Sequence, residues 1–388
     1  MNRQAVFAAV ASCLISVAFT QNSTEPEYRG IVVTYTDRSV KLVDDFYRYA
    51  NGGWIKRTEL PLDSGSIAID GWLRDDLSNE LSRKRSADLI QEAIKANAPA
   101  GSNLRKIANF YRSYMNEAEI ETRGLAPLRP HLERIAAILD KQDLARALGA
   151  TLRMDVDPLN WGIVFHTPNL FGLCVAPGFD DPEHYAAFLL QGGLGMPDRE
   201  YYISATDRMR DLRAKYQAHV SAVLKLAGFT DTESRAQHIV ELEHAIAEKH
   251  IPFADEQSFQ NANNNWRQAD FAAKAPGLDW AEFFRSADLS EQRSFIVWQP
   301  TAITGESALV ASTALDTWKD WLAFHLIDAY AAVLPKAIAD ERFAFFGTIL
   351  SAKKKQFPRE QRGITLINSA FDETGFSFLE AEARSATL

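Results

Sequence analysis

The stretch QGGLGMPDREYY, Gln191 to Tyr202, sets three glycines and a proline ahead of two tyrosines. Gly192, Gly193 and Gly195 permit positive φ and Pro197 stiffens the exit, so the stretch reads as a well-packed turn. Direct contact with a substrate is the alternative. Tyr201 and Tyr202 can bury their rings while keeping their hydroxyls in water. The two glycines around Leu194, Gly193 and Gly195, are not a dinucleotide-binding loop, since neither a further glycine at the right spacing nor a strand-to-helix context follows them. The fold is decided by what this turn joins.

On both sides the answer is mainly helix. Before it, Gly71–Asn97 repeats apolar residues at helical spacing (Trp72, Leu77, Leu81, Leu89, Ile90), with Asp70 placed to cap it. NLRKIANFYRSYMNEAEIE, LRPHLERIAAIL and DLARALGATLRM follow as further helices. A β interlude comes next: NWGIVFH and LFGLCVAP, joined at Thr167-Pro168-Asn169, predict a hairpin. After the turn the chain returns to helix in DRMRDLRAKYQAHVSAVLKLAG and ESRAQHIVELEHAIAEKH. Ala308–Leu334 reads as one long apolar helix central to the core. The expected fold class is therefore mainly α, a multi-helical lobe with a small β-hairpin insertion.

The chain has 388 residues, 46% hydrophobic and 24% charged, which suits a soluble globular protein. Its net charge of −9 gives a nucleic-acid role no electrostatic footprint. The basic runs Arg83-Lys84-Arg85 and Lys353-Lys354-Lys355 read as solvated helix faces. At the N-terminus, MNR precedes the apolar run AVFAAVASCLISVAFT, and a polar stretch follows. This pattern reads as a secretory signal cleaved near Ser16-Val17-Ala18. An uncleaved membrane anchor and a lipoprotein through Cys13 are the alternatives. The expected division is a signal at 1–18, a flexible segment at 19–36 and one helical domain at 37–388, exported to a periplasm or the extracellular space. Removing the signal leaves Cys174 as the one cysteine, so no internal disulfide can form.

Zinc is the sharper question. HIVELEH, His238 to His244, sets two histidines and Glu241 on one helix. A zinc peptidase helix is H-E-x-x-H, with ligands four apart on one face. Six residues place His238 and His244 roughly 120° apart around the helix and ~9 Å apart along it. Zn–N bonds of about 2.0–2.1 Å do not close that gap. His244 and His250 repeat the failure, and none of the eight histidines opens H-E-x-x-H or H-x-x-E-H. The expected metal set and the expected catalytic set are both empty, and His238 and Glu241 read as ordinary flanking residues of an amphipathic helix.

Four ordered segments carry a resemblance. Asp45-Phe46-Tyr47-Arg48-Tyr49-Ala50-Asn51-Gly52-Gly53-Trp54 with Leu60-Pro61, Tyr111-Arg112-Ser113-Tyr114-Met115-Asn116-Glu117, the Gln191–Tyr202 turn, and Gly347 with Pro358-Arg359 and Asn368 together resemble the neprilysin family of zinc metallopeptidases. The resemblance runs from about Asp44 to Asn368 and covers the family's non-catalytic half. It implies the N-terminal helical lobe of that family, which gates substrate access to a thermolysin-like catalytic lobe. In the family, zinc lowers the pKa of a bound water and a glutamate takes its proton. It also implies peptide substrates, with zinc as cofactor of the full-length protein and none bound by this chain. Its H-E-x-x-H lies beyond the equivalent of Asn368, so this chain is expected to stop before the zinc site and not to act as an enzyme alone. One substrate-binding residue carries over: Leu73-Arg74 matches the end of the family's R-x-x-x-x-x-x-L-R, whereas the first arginine falls on Ser66. An ion pair of Arg74 with Asp70 or Asp75 is the structural alternative. The expected partners are peptides, then a separate catalytic lobe or a second copy. A stand-alone, non-catalytic peptide-binding or interaction protein is the competing function.

Overall fold

A computed structural model describes residues 33–60, 62–64, 84–96, 98–154, 166–256, 258–367 and 370. The expected signal at 1–18, Ser66, Arg74, the first half of the expected Gly71–Asn97 helix and nearly all of NWGIVFH lie outside the described residues. The chain divides into two compact units, Met1–Glu59 and Leu60–Leu388.

In the first unit, α1 (Phe46–Arg57) starts at Asp45, whose carboxylate accepts the Arg48 N–H at 2.8 Å. Such a cap satisfies one of the backbone donors a helix start leaves open. Lys56 on the same helix meets Asp37 at 2.7 Å and Arg57 donates to the Thr34 carbonyl at 2.8 Å, the latter tying α1 to the 3-10 turn before it.

The second unit is helical around a small sheet. α2 (Asn103–Met115) and α3 (Glu117–Arg123) are separated at Asn116, which caps α3 through its side chain. The sequence reads as one helix there because Asn116 is polar on an exposed face and breaks no apolar period. α4 (Arg129–Ala136) and α5 (Lys141–Thr151) follow, and Asp140 caps α5 by accepting the Asp143 N–H at 2.8 Å.

The sheet differs in detail from the hairpin expected. β1 (Phe171–Pro177) pairs antiparallel with β2 (Tyr185–Gln191), from Phe171 opposite Gln191 to Pro177 opposite Tyr185. Thr167–Asn169 therefore lies ahead of the hairpin that forms. YAAFLLQ is a continuous apolar run, which periodicity alone does not separate from a buried helix segment. Two short strands complete a four-stranded mixed sheet in the order β1-β2-β4-β3: β3 (Asn265–Arg267) and β4 (Ser294–Val297), with β4 parallel to β2.

Two long helices pack together, α6 (Asp207–Leu226) and α7 (Thr232–Lys249). α8 (Trp280–Ser286) lays Trp280, Phe283 and Phe284 among Phe171, Phe271 and Phe295 in edge-to-face and stacked contacts. Each such ring contributes about 1.5–3 kcal/mol by leaving water.

Ala308–Leu334 is two helices rather than one. α9 (Pro300–Ser312) ends where Thr313 turns extended and donates its N–H to the Leu309 carbonyl. α10 (Leu315–Tyr330) then starts anew. No glycine or proline marks the break, so helical periodicity passes through it. α10 is central as expected: Trp318, Trp321, Phe324 and Ile327 are all essentially buried. α11 (Lys336–Arg342) runs into an eight-residue π-helix, Phe343–Leu350.

Candidate functional site

The Gln191–Tyr202 turn is held by buried polar groups. Glu243 of α7 has no exposed surface. Its Oε2 accepts the Tyr202 hydroxyl at 2.5 Å and the Gly195 N–H at 3.3 Å. Its Oε1 accepts the Tyr216 hydroxyl at 3.2 Å and faces His325 Nε2 at 2.9 Å. One carboxylate thus joins the turn, the short helix Glu200–Ile203, α6 and α10. Burial, then the charge of Glu243, raises both tyrosine hydroxyls well above their ordinary pKa, so they stay protonated as donors. The Tyr202 hydroxyl in turn accepts the Met196 N–H at 2.9 Å.

The turn's own residues now have distinct reasons. Gly193 alone of the three expected glycines takes positive φ, at +86°. Gly195 is glycine because a Cβ there would collide with the Tyr216 hydroxyl that reaches Glu243. Tyr202 corrects the expectation of a wet hydroxyl, since ring and oxygen are both enclosed.

A second buried group secures the start of the turn. His250 Nε2 lies 2.8 Å from the Gly192 carbonyl and 3.1 Å from Glu306 Oε1. Burial lowers His250 to about 4 and raises Glu306 well above its ordinary value, so burial disfavours the charged form of each. Gln191 donates from Nε2 to Glu256 at 2.6 Å, and burial brings Glu256 up to about 7.

His325 also connects this network to the surface. It lies in the floor of a groove of about 840 Å³ bounded by α4, α5 and α10. Trp321, Leu322, Leu326, Ile135, Ile138 and Ala147 give the groove apolar walls. Among the described residues Arg134, Arg146 and Arg153 stand against Asp143 as its one acidic lining residue. Arg146 is paired with Asp143 at 2.6 Å, while Arg153 bonds the carbonyls of Ala150 and Leu152 at 2.9 and 2.7 Å. A concave, mostly apolar surface with a few placed polar groups is what a ligand site requires.

The residues singled out in HIVELEH do not gather. His238, Glu241 and His244 are exposed on α7. Glu241 accepts from Gln237 at 2.8 Å, and His244 is shared between the Tyr202 carbonyl and Glu248. Among the described residues no three His, Cys, Asp or Glu side chains are placed to hold a metal ion. These residues do not fit zinc. Cys174 is buried in β1. The carboxylate that matters, Glu243, stands two positions from Glu241. It occupies the buried face with Ala236, Ile239, Val240, Ile246 and Ala247, and a charge inside that stripe was its signal in the sequence.

Two of the resembling segments meet. Arg359 lies over the Tyr114 ring at 4.2 Å and donates from Nε to the Tyr114 carbonyl at 3.1 Å. It also stands 3.6 Å from Glu117. The Tyr111–Glu117 and Pro358-Arg359 motifs are thus two sides of one junction.

A family model described as peptidase family M13, for the family's N-terminal part, matches residues 42–377. The chain belongs to peptidase family M13. Endothelin-converting enzyme 1 of Bos taurus is 22% identical over 373 residues, covering 91% of this chain and 47% of that protein. Endothelin-converting enzyme-like 1 of Mus musculus is 26% identical over 302 residues, 75% of this chain and 37% of that one. The chain spans less than half the length of these curated relatives. The Mycobacterium tuberculosis zinc metalloprotease Zmp1, solved with an inhibitor, shares the fold at a TM-score of 0.79 and 24% identity, over 92% of this chain and 53% of that one. PepO of Lactobacillus rhamnosis does so at 0.65 and 16%, over 87% and 51%. The expected resemblance and the mainly helical fold class are both borne out. For an M13 chain, the Gln191–Tyr202 turn is a structural fastening built around Glu243.

Proposed function

We propose that this chain is the substrate-gating, peptide-contacting helical lobe of an exported zinc metalloendopeptidase, with the zinc chemistry carried by residues other than these 388. The observation that carries the reading is the M13 match across residues 42–377. The groove over His325 supports the peptide half: its floor suits an apolar side chain and its arginine rim suits a carboxylate or carbonyl. Among the described residues the lining holds three arginines and one aspartate, and although Arg146 also meets Glu282 at 3.4 Å, the balance favours an acidic or C-terminal peptide stretch. The partner this reading requires is a zinc-bearing catalytic lobe. The M-N-R start and the apolar run after it support export.

A second reading, a peptide-binding protein that needs no catalytic partner, draws on the same groove. Metal analysis and peptide hydrolysis on the purified chain test the first reading's division of labour. The proposal expects neither stoichiometric zinc nor cleavage. About one zinc per chain, lost on His244→Ala, would overturn it.

A further inference from the structure

Where α11 passes into the π-helix, the chain forms a second, half-open pocket of about 270 Å³. Four cationic side chains line it: Arg342, Lys353, Lys355 and Arg362. Among the described residues Asp63 is its one acidic lining residue, and Asp328 meets Arg342 Nε at 3.2 Å. Among the described residues two positive charges are left over. The Lys353-Lys354-Lys355 run therefore corrects its expected place: it is a loop, not a solvated helix face, and two of its lysines border the pocket.

The Nε of Arg362 is buried and has no hydrogen-bond partner among the described residues. Leaving a buried charged donor unpaired costs several kcal/mol, so such groups are ordinarily satisfied by a ligand, an ion or water. The remaining wall is aromatic. Arg342 lies 4.7 Å over the Phe346 ring and Lys353 lies 5.5 Å over the Phe357 ring, which fixes both cations beside apolar faces. Phe343 lines the pocket from the π-helix, and its ring occupies the place where a Cβ on residue 347 would stand, so Gly347 makes room for it. Gly347 also accepts the Lys353 N–H at 2.9 Å, which seats the lysine loop against the wide turn. Widened turns of this kind recur at functional sites.

We propose that this pocket binds a compact oxyanion, a carboxylate or a phosphoryl group, carried on a small apolar body. The anion would take Arg362 Nε, Lys353 and Lys355, and the body would lie on Phe343, Phe346 and Phe357. The volume of about 270 Å³ admits one ring with its anion. This site is separate from the groove over His325, and the inference does not depend on the peptidase reading.

The test is calorimetric titration of the full chain with 3-phenylpropionate, phenyl phosphate and the neutral 3-phenylpropanol. Saturable binding of either anion at a Kd of roughly 0.1–1 mM, at least tenfold tighter than the alcohol, is expected. Preference between the two anions assigns the carrier of the charge, and either supports the proposal. Arg362→Gln should abolish binding. Should that variant unfold by circular dichroism, the exposed-side pair Lys353→Met with Lys355→Ala decides, with a loss of at least tenfold expected. Equal binding of acid and alcohol, no saturation by either anion up to ~10 mM, or unchanged affinity in the folded lysine pair would overturn the proposal.

Discussion

His325 Nε2 stands 2.9 Å from Glu243 Oε1, joining the floor of the α10 groove to the carboxylate that fastens the Gln191–Tyr202 turn. The contact spans 82 residues of sequence and links the surface that can meet a ligand to the buried centre of the lobe.

That arrangement makes Glu243 and Glu241 unequal. Glu243→Ala leaves two tyrosine hydroxyls, a backbone N–H and a histidine without their acceptor, and is expected to cost about 3–5 kcal/mol. Glu241→Ala removes one exposed contact and should stay within about 0.5 kcal/mol. Urea denaturation of the two variants checks this, and similar losses for both would remove Glu243 from the centre of the account.

Glu256 predicts a pH dependence. Its folded pKa of about 7 lies above the ordinary 4.5, so the folded state binds the extra proton between those values. Its stabilisation is complete below about pH 4.5 and is lost as pH rises through about 7. His250, lowered from 6.5 to about 4, slopes the opposite way over most of that window. The two partly cancel in the parent protein. Glu256→Gln keeps an oxygen for the Gln191 amide and removes one slope. Its stability relative to the parent should therefore improve between pH 5 and 8, by on the order of 3 kcal/mol. Thermal unfolding across that range measures the difference, and a flat difference would show that Glu256 titrates normally.

Export is expected to leave a mature N-terminus near Phe19 or Gln21, outside the cytoplasm. N-terminal sequencing reads this directly, and recovery of Met1 from the soluble cytoplasmic fraction would contradict it.

Much of the helical architecture was legible because burial on one face imposes a period of 3.6 on the sequence, as Ile239, Leu242 and Ile246 show in α7. The same period hid the break at Thr313, where nothing but backbone torsion changes. It also blurred β2, whose run from Ala186 to Leu190 alternates with nothing polar. Glu243 was readable as a charge within an apolar stripe. Its partners were not, because Tyr202, Tyr216 and His325 reach it from three other elements. The groove shares that difficulty: residues from His131 to Tyr330 line it, and only tertiary packing sets them together.

The central claim is that this lobe contacts peptide through the groove over His325. Titrating the purified chain with an acidic peptide ending in an apolar residue, and following tryptophan fluorescence, tests it most directly because Trp321 lines the groove. Ala150 is exposed on the groove's edge, so Ala150→Trp fills the groove without entering the core. The account predicts saturable binding by the parent and a loss of at least tenfold, about 1.4 kcal/mol, in Ala150→Trp. Equal affinity in the two proteins would contradict it.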